Sequence, residues 1–364
     1  MPISPPAEPF LHQPPMELME LYGRMNALAA RQGFRQILPA VWQCSDESQG
    51  IKKALLGYVF DCPVFNLGRV GGLLDPQRLV PASHHGQDLV ILGGSHHGIR
   101  EEDGIGYVER IHGEVAPCCS ALYRLLEGYL VIYRRAAASI RLFRGVGGLK
   151  IEIPYKYLFR HSQSEEARIV LHLRRLVDGD ALRDSSHGKV YRLHPAFVEK
   201  NEVVLADLGA EPVAIGSLLG AEYFVFSRIL DPQSQDIKAM LEMTVFDFLP
   251  DIVTSERPLR RLADINTWRQ FHRLASYLTD SFDSGERNIL AIAGLTLDHS
   301  VKRNTFVPQF GFLLPHGRAA EAEYYGPAEI NDLLLQQEVL LPQKSFFEYA
   351  EVGQDMRPRS ARLT

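Results

Sequence analysis

Hydrophobic positions in the first third of the chain form one helical stripe and then four short continuous runs. After Pro15, the residues Leu18, Leu21, Tyr22, Met25, Leu28 and Ala29 recur at the helical period, and Gly33 supplies the stop. The pattern predicts a helix from Met16. The runs at 36–43, 63–67, 88–94 and 107–111 are closed by Gly or a polar turn. Their unbroken hydrophobicity marks strands buried on both faces, and a helical stretch at 47–58 between the first two supplies a βαβ crossover. Residues 119–136 form another amphipathic helix, with Leu122, Leu125, Leu126, Tyr129, Leu130 and Tyr133 on one side. Strand-like runs return at 288–297 and 306–314. The expected fold is therefore α/β, a sheet flanked by helices, with its core at 16–139 and its C-terminal strands within 288–352.

Between these parts, Ser- and charge-rich segments separate helical patterns at 167–176, 215–229, 237–248 and 259–279. The span 140–287 reads as a mostly helical insertion of unknown role. Prolines 2, 5, 6, 9, 14 and 15 deny the first residues a helix, so 1–15 reads as an extended arm. Residues 353–364 read as a mobile tail.

Composition narrows the function. At 46% hydrophobic and 23% charged the chain is globular, and a net charge of −5 gives no bulk attraction to nucleic acid or an anionic membrane. No apolar run approaches the roughly 20 residues needed to span a bilayer. A soluble, cytoplasmic protein with neither nucleic-acid nor membrane partner is expected. Its 4 cysteines in 364 residues are too few for a disulfide scaffold, which frees them for ligand or catalytic roles.

Groups that bind soft metals stand at strand ends and at a helix start. Cys44 closes the first run in Trp42-Gln43-Cys44-Ser45-Asp46-Glu47, His96 and His97 follow the run at 88–94, and Cys118 and Cys119 precede a helix. A helix N-terminus stabilises a thiolate. These separations are too long for a zinc finger and suit a site assembled by tertiary structure. The doublets His84-His85 and His96-His97 flank one strand. Cys62 reads as a small hydrophobe. Asp46 has two open roles, capping the next helix or serving a metal site.

Taken in order, the blocks Cys44-Ser45-Asp46-Glu47, Ser83-His84-His85, Ser95-His96-His97-Gly98-Ile99, residues 104–110 and Cys118-Cys119-Ser120-Ala121 resemble the limiting-CO2-inducible B/C protein family. Some members of that family are zinc carbonic anhydrases with a β-type active site. The likeness covers about 36–130, with a weaker echo in Ala293-Gly294-Leu295 and Asn304-Thr305-Phe306, whereas 140–283 has no counterpart.

The resemblance implies a β-carbonic-anhydrase-like sheet, a homodimer, and Zn²⁺ held by Cys44, His96 and Cys119. It prefers His96 to His97 because His96 stands two residues before Gly98, and Cys119 to Cys118 because Cys119 precedes Ser120-Ala121. Asp46 then completes a closed site or leaves the fourth position to water. In β-type enzymes the motif runs Cys-x-Asp-x-Arg, and the Arg draws the Asp off the metal. Here that position is Ser48. The replacement cation is sought among Arg69, Arg100 and Arg110, and Arg110 joins Asp46, His84 and His85 in the candidate catalytic set. His97 is a further candidate proton shuttle. Val64, Phe65 and Leu67 either line a carbon dioxide pocket or belong to plain core.

The function implied is interconversion of carbon dioxide and bicarbonate by zinc-hydroxide attack. Ser48 and the unmatched span motivate an alternative, a catalytically silent zinc protein that senses inorganic carbon or binds a partner. A zinc hydrolase acting on another electrophile is the third reading.

Overall fold

The computed structural model describes residues 13–80, 88–110, 112–158, 166–300 and 303–346. His84, His85, most of the expected arm and the expected tail lie outside the described residues. Two compact units divide the chain: Met1–Ala121 with Ala263–Thr364, and Leu122–Leu262.

In the first unit, β1 (Met16–Glu17) leads into α1 (Leu18–Arg31), whose predicted stripe from Leu18 to Ala29 is buried. Then follow β2 (Leu38–Trp42), α2 (Gly50–Phe60), β3 (Phe65–Asn66), β4 (Leu89–Gly93) and β5 (His96–Gly98). Strands β6 (Arg100–Glu102), β7 (Ile105–Glu109) and β8 (Val115–Pro117) make a separate antiparallel sheet before α3 (Ser120–Ser139). From the run expected at 107–111, residues 107–109 thus join this small sheet rather than the main one. Its cause is local: Asp103 and Gly104 both have positive φ, 51° and 73°, and fold β6 back onto β7 as a two-residue hairpin.

The second unit, taken by itself, carries β9 (Arg141–Gly145), β10 (Gly148–Pro154), β11 (Arg168–Leu171), β12 (Val177–Asp184), β13 (Gly188–Leu193), β14 (Val213–Ala214) and β15 (Phe224–Ser227). Five of these form the antiparallel sheet β12-β13-β10-β9-β14, and β11 pairs with β15. Single helical turns lie at Tyr155–Leu158 and Leu173–Leu176, and longer helices are α4 (Pro195–Lys200), α5 (Glu202–Ala206), α6 (Ile237–Val245) and α7 (Leu249–Thr254). The expectation of a mostly helical 140–287 is corrected here: the span is mixed. At 215–229 the apolar residues alternate at the end, with Phe224 and Phe226 buried around an exposed Val225, which is strand periodicity hidden inside a window of helical average.

Helix α8 (Pro258–Asp280) returns the chain to the first unit, followed by β16 (Ile289–Ser300), β17 (Arg303–Leu314), β18 (Glu323–Tyr325) and α9 (Pro327–Leu335). The main sheet runs β1-β17-β16-β4-β2-β3, with β5 beside β16 and β18 beside β17. β4 is parallel to both β2 and β16, with Ile91 between Ala40 and Ala291. A parallel strand flanked on both edges must be apolar on both faces, and all of β4 is buried. Helices α1 and α2 contribute Leu21, Tyr22, Met25, Leu56 and Val59 to a core with Val90, Leu92, Leu290 and Ile292.

Two glycines end β4. A Cβ at Gly93 would lie 1.9 Å from the Trp42 ring, and Gly94, at φ +137°, lets the backbone approach Gly294. The chain therefore turns at once from β4 into Ser95 and His96. Among the described residues no helix is long and apolar enough to cross a membrane.

Candidate metal centre

Cys44 lies two residues beyond β2, His96 opens β5 just beyond β4, and Cys119 immediately precedes α3. Carboxyl ends of parallel strands are where α/β folds gather binding groups. The structure brings these three buried residues together, their ligand atoms all within 4.8 Å of one another. The sulfurs of Cys44 and Cys119 stand 3.7 Å apart. Two thiolates bound to one tetrahedral zinc at about 2.3 Å stand roughly 3.8 Å apart, so the pair has the right spacing. Gly71 N donates to Cys44 Sγ at 3.1 Å. Asn266 of α8 donates to both Gly71 O and Ser95 Oγ at 2.9 Å, tying together the loops that carry Cys44's donor and His96.

His96 Nδ1 is 2.6 Å from Asp298 Oδ2, while its Nε2 is buried with no hydrogen-bond partner. Buried polar atoms are ordinarily satisfied, and an orphaned imidazole nitrogen beside two thiols is what a metal ligand would leave. The donor set therefore fits a divalent ion. The hydrogen bond with Cys119 pushes Cys44 down to about 4 against its burial, and His96 assists. The same contact, with burial, pushes Cys119 up. Burial alone would depress His96, yet the surrounding thiols and Asp298 raise it well above its ordinary value.

A second cluster, His96, Cys118 and Asp298, shares the imidazole. Its distances are shorter: Cys118 Sγ is 3.1 Å from His96 Nδ1 and 3.0 Å from Asp298 Oδ2. Ligands of one zinc stand roughly 3.3–3.8 Å apart, so these are hydrogen bonds and not a second cage. Burial pushes Cys118 up to about 11, which keeps its proton available for donation.

Asp46 is engaged by two donors. Arg110 Nη1 donates to Asp46 Oδ1 at 2.7 Å, and Ser48 N donates to the same oxygen at 3.1 Å. Of the two roles left open by the sequence, the structure shows the cap, with Asp46 accepting from Ser48 N at the turn Glu47–Gln49, and adds an ion pair with Arg110. Burial opposes ionisation of Asp46, but His96 and Arg110 outweigh it and hold the carboxyl below its usual range. Arg110 Nη2 donates to Pro117 O and Ser120 Oγ, both at 3.2 Å, which fixes the guanidinium beside the Cys118-Cys119 segment. Arg69 is engaged with Asp75 at 2.6 Å, and Arg100 is exposed, 3.9 Å from Glu109.

Other candidates stand apart from both clusters. His97 is buried against Gly106 of β7, Leu67 is core, Val64 packs on the main core and Cys62 is half-buried.

Sequence reasoning missed the residues behind His96. Asp298 of β16 accepts from Ser48 Oγ at 3.0 Å, Gln49 Nε2 at 3.1 Å and Asn304 Nδ2. Lys52, fully buried on α2, places Nζ 3.8 Å from Asp298 Oδ1 and donates to Gln49. Burial pushes Lys52 down to about 8, an effect that Asp298 limits. Burial would raise Asp298, but Lys52 and His96 hold it well below the ordinary carboxylate range. A signal for Lys52 did exist, because it precedes Leu56 and Val59 at the spacing of the buried stripe.

Neither a protein-family profile nor a curated relative matches the chain. Among solved structures, PtLCIB4, a homolog of the limiting CO2-inducible protein LCIB, aligns with a TM-score of 0.50 at 11% identity, over 86% of this chain and 94% of its own. The chain has the LCIB-type fold. A mutant of PtLCIB4 gives a TM-score of 0.49 at 11% identity over 83% of this chain and 90% of its own. For LCIB itself the score is 0.45 at 13% identity, over 85% and 93%. The LCIB-type fold is the α/β arrangement expected from the sequence, a central sheet flanked by helices.

Proposed function

We propose that this protein is a zinc-dependent carbonic anhydrase that interconverts carbon dioxide and bicarbonate. The observation that carries the reading is the 2.7 Å Asp46–Arg110 ion pair beside the Cys44, His96 and Cys119 cluster. Three protein donors with the nearby carboxylate engaged elsewhere is the catalytic rather than the structural pattern for zinc. Two thiolates and an imidazole suit that metal's softness. The shared fold with a homolog of a protein described as limiting-CO2-inducible supports the substrate class.

Zinc bound there supplies the acidification of water that makes hydroxide available near neutral pH. The chain's own groups do the rest. Asp46, an acceptor only, is held by Arg110 and Ser48 N in one orientation, from which it accepts a hydrogen bond from an adjacent hydroxyl and aligns it. Arg110 keeps that carboxylate charged and in place. Cys118, a neutral thiol, and Asp298 hold the imidazole from behind. Proton delivery to bulk is assigned to His84 and His85 on their sequence block, since the unperturbed histidine pKa of roughly 6.5 suits a shuttle.

Stopped-flow hydration assays test the reading. Zinc-loaded protein is expected to hydrate carbon dioxide rapidly, with activity abolished by chelation, Cys44→Ala or His96→Ala. Stoichiometric zinc without hydration from mildly acidic to mildly alkaline pH would reject the enzyme and leave a metal-holding sensor of inorganic carbon.

A further inference from the structure

We propose that Asp298 is the positioning residue of the metal centre, fixing His96 in the tautomer that presents Nε2, with Lys52 as the buried counter-charge that keeps Asp298 in that role. The inference rests on the reading of Cys44, His96 and Cys119 as metal ligands and deepens it; hydration activity is not required.

A carboxylate only accepts, so the 2.6 Å contact between Asp298 Oδ2 and His96 Nδ1 places the ring proton on Nδ1. In the neutral ring, the form a metal ligand takes, Nε2 is then the lone-pair nitrogen, and it is the one with no hydrogen-bond partner. Backbone pairing sets the offset between the two residues. Thr296 pairs with His96 and Asp298 with Gly98 in the parallel β16–β5 ladder, and Ile99 N donates to Asp298 O at 3.2 Å.

Asp298 is itself held by side chains from three other segments: Ser48 and Gln49 before α2, Cys118 before α3, and Asn304 on β17. Such a shell has no slack for the carboxylate to rotate. It also accounts for Ser48, whose hydroxyl is turned to Asp298 while Arg110 serves Asp46. A guanidinium at position 48 would have to enter a fully buried site already occupied by the Lys52 ammonium.

The test measures zinc affinity by competition with a chromophoric chelator and the visible absorption of the cobalt(II)-loaded protein. Asp298→Asn is expected to weaken zinc binding about 10–100-fold and to shift the cobalt bands. Because the single variant strands Lys52 as an uncompensated buried cation, the neutral double variant Lys52→Met/Asp298→Asn is measured beside it and is expected to show the same loss. A folded double variant, by circular dichroism, with unaltered affinity and cobalt spectrum overturns the proposal. Wild-type protein that binds no zinc overturns the ligand reading instead.

Discussion

Arg110 reaches Asp46 from 64 positions further along the chain, from the end of β7, where it is also anchored to Pro117 and Ser120. Arg110→Ala removes the strongest donor to that carboxylate and frees it to turn towards the cysteines. Hydration is expected to fall on the order of 100-fold, the scale of a displaced reacting group, with zinc content unchanged. Stopped flow alongside metal analysis checks this, and full activity would reduce Asp46 to a cap. Residue chemistry was legible where it is rare: cysteine and histidine at strand ends stand out in any sequence. Asp298 was not, because carboxylates are common and its meaning depends on β16 meeting β5, about 200 residues away in sequence. Lys52 stands in helical phase with Leu56 and Val59, and its charge masks its place in the buried stripe.

At the scale of elements, the abrupt end of β4 is a packing requirement. Gly93→Ala would drive a methyl into the Trp42 ring, and destabilisation of about 1–3 kcal/mol is expected in urea unfolding of metal-free protein. On α8, His272 packs among Trp268, Phe271 and Phe310, and its Nε2 is buried without a hydrogen-bond partner. Burial lowers His272 below its ordinary 6.5. The unfolded chain therefore binds more protons between the two values, so stability rises as pH rises through that window. His272→Leu removes this slope, and its stability relative to wild type should be greater near about pH 5 than near about pH 8 by denaturant titration. Parallel profiles would show that the imidazole carries no such cost. Elements were readable where periodicity ran long, as in α1, α3 and α8. The hairpin at Asp103-Gly104 was available as a turn signal and passed over, while β11 and β15 are too short for windowed periodicity to separate from helix.

For the molecule as a whole, the candidate metal cluster and the hydrogen bonds behind it join four distant segments of the first unit: 44–52, 96–98, 118–119 and 298–304. Zinc is therefore expected to act as a staple, stabilising by about 2.7 kcal/mol when free metal is 100-fold above Kd. Chelation should lower the melting temperature and release hydrogen-exchange protection first in those segments. Unchanged protection there would place the metal elsewhere. The unit boundaries lie inside the continuous helices α3 and α8, so no linker between elements marks them.

That discontinuity has a consequence for biosynthesis. Cys44, His96 and Cys119 all leave the ribosome before the second unit does, yet Asp298 follows Cys118 by 180 residues. At 5–20 residues per second the delay is roughly 9–36 s. Throughout it the β4 edge that β16 will cover is unpaired and the imidazole lacks its carboxylate, so on the proposed reading a nascent chain would offer sulfur to a metal long before it could seat the ion.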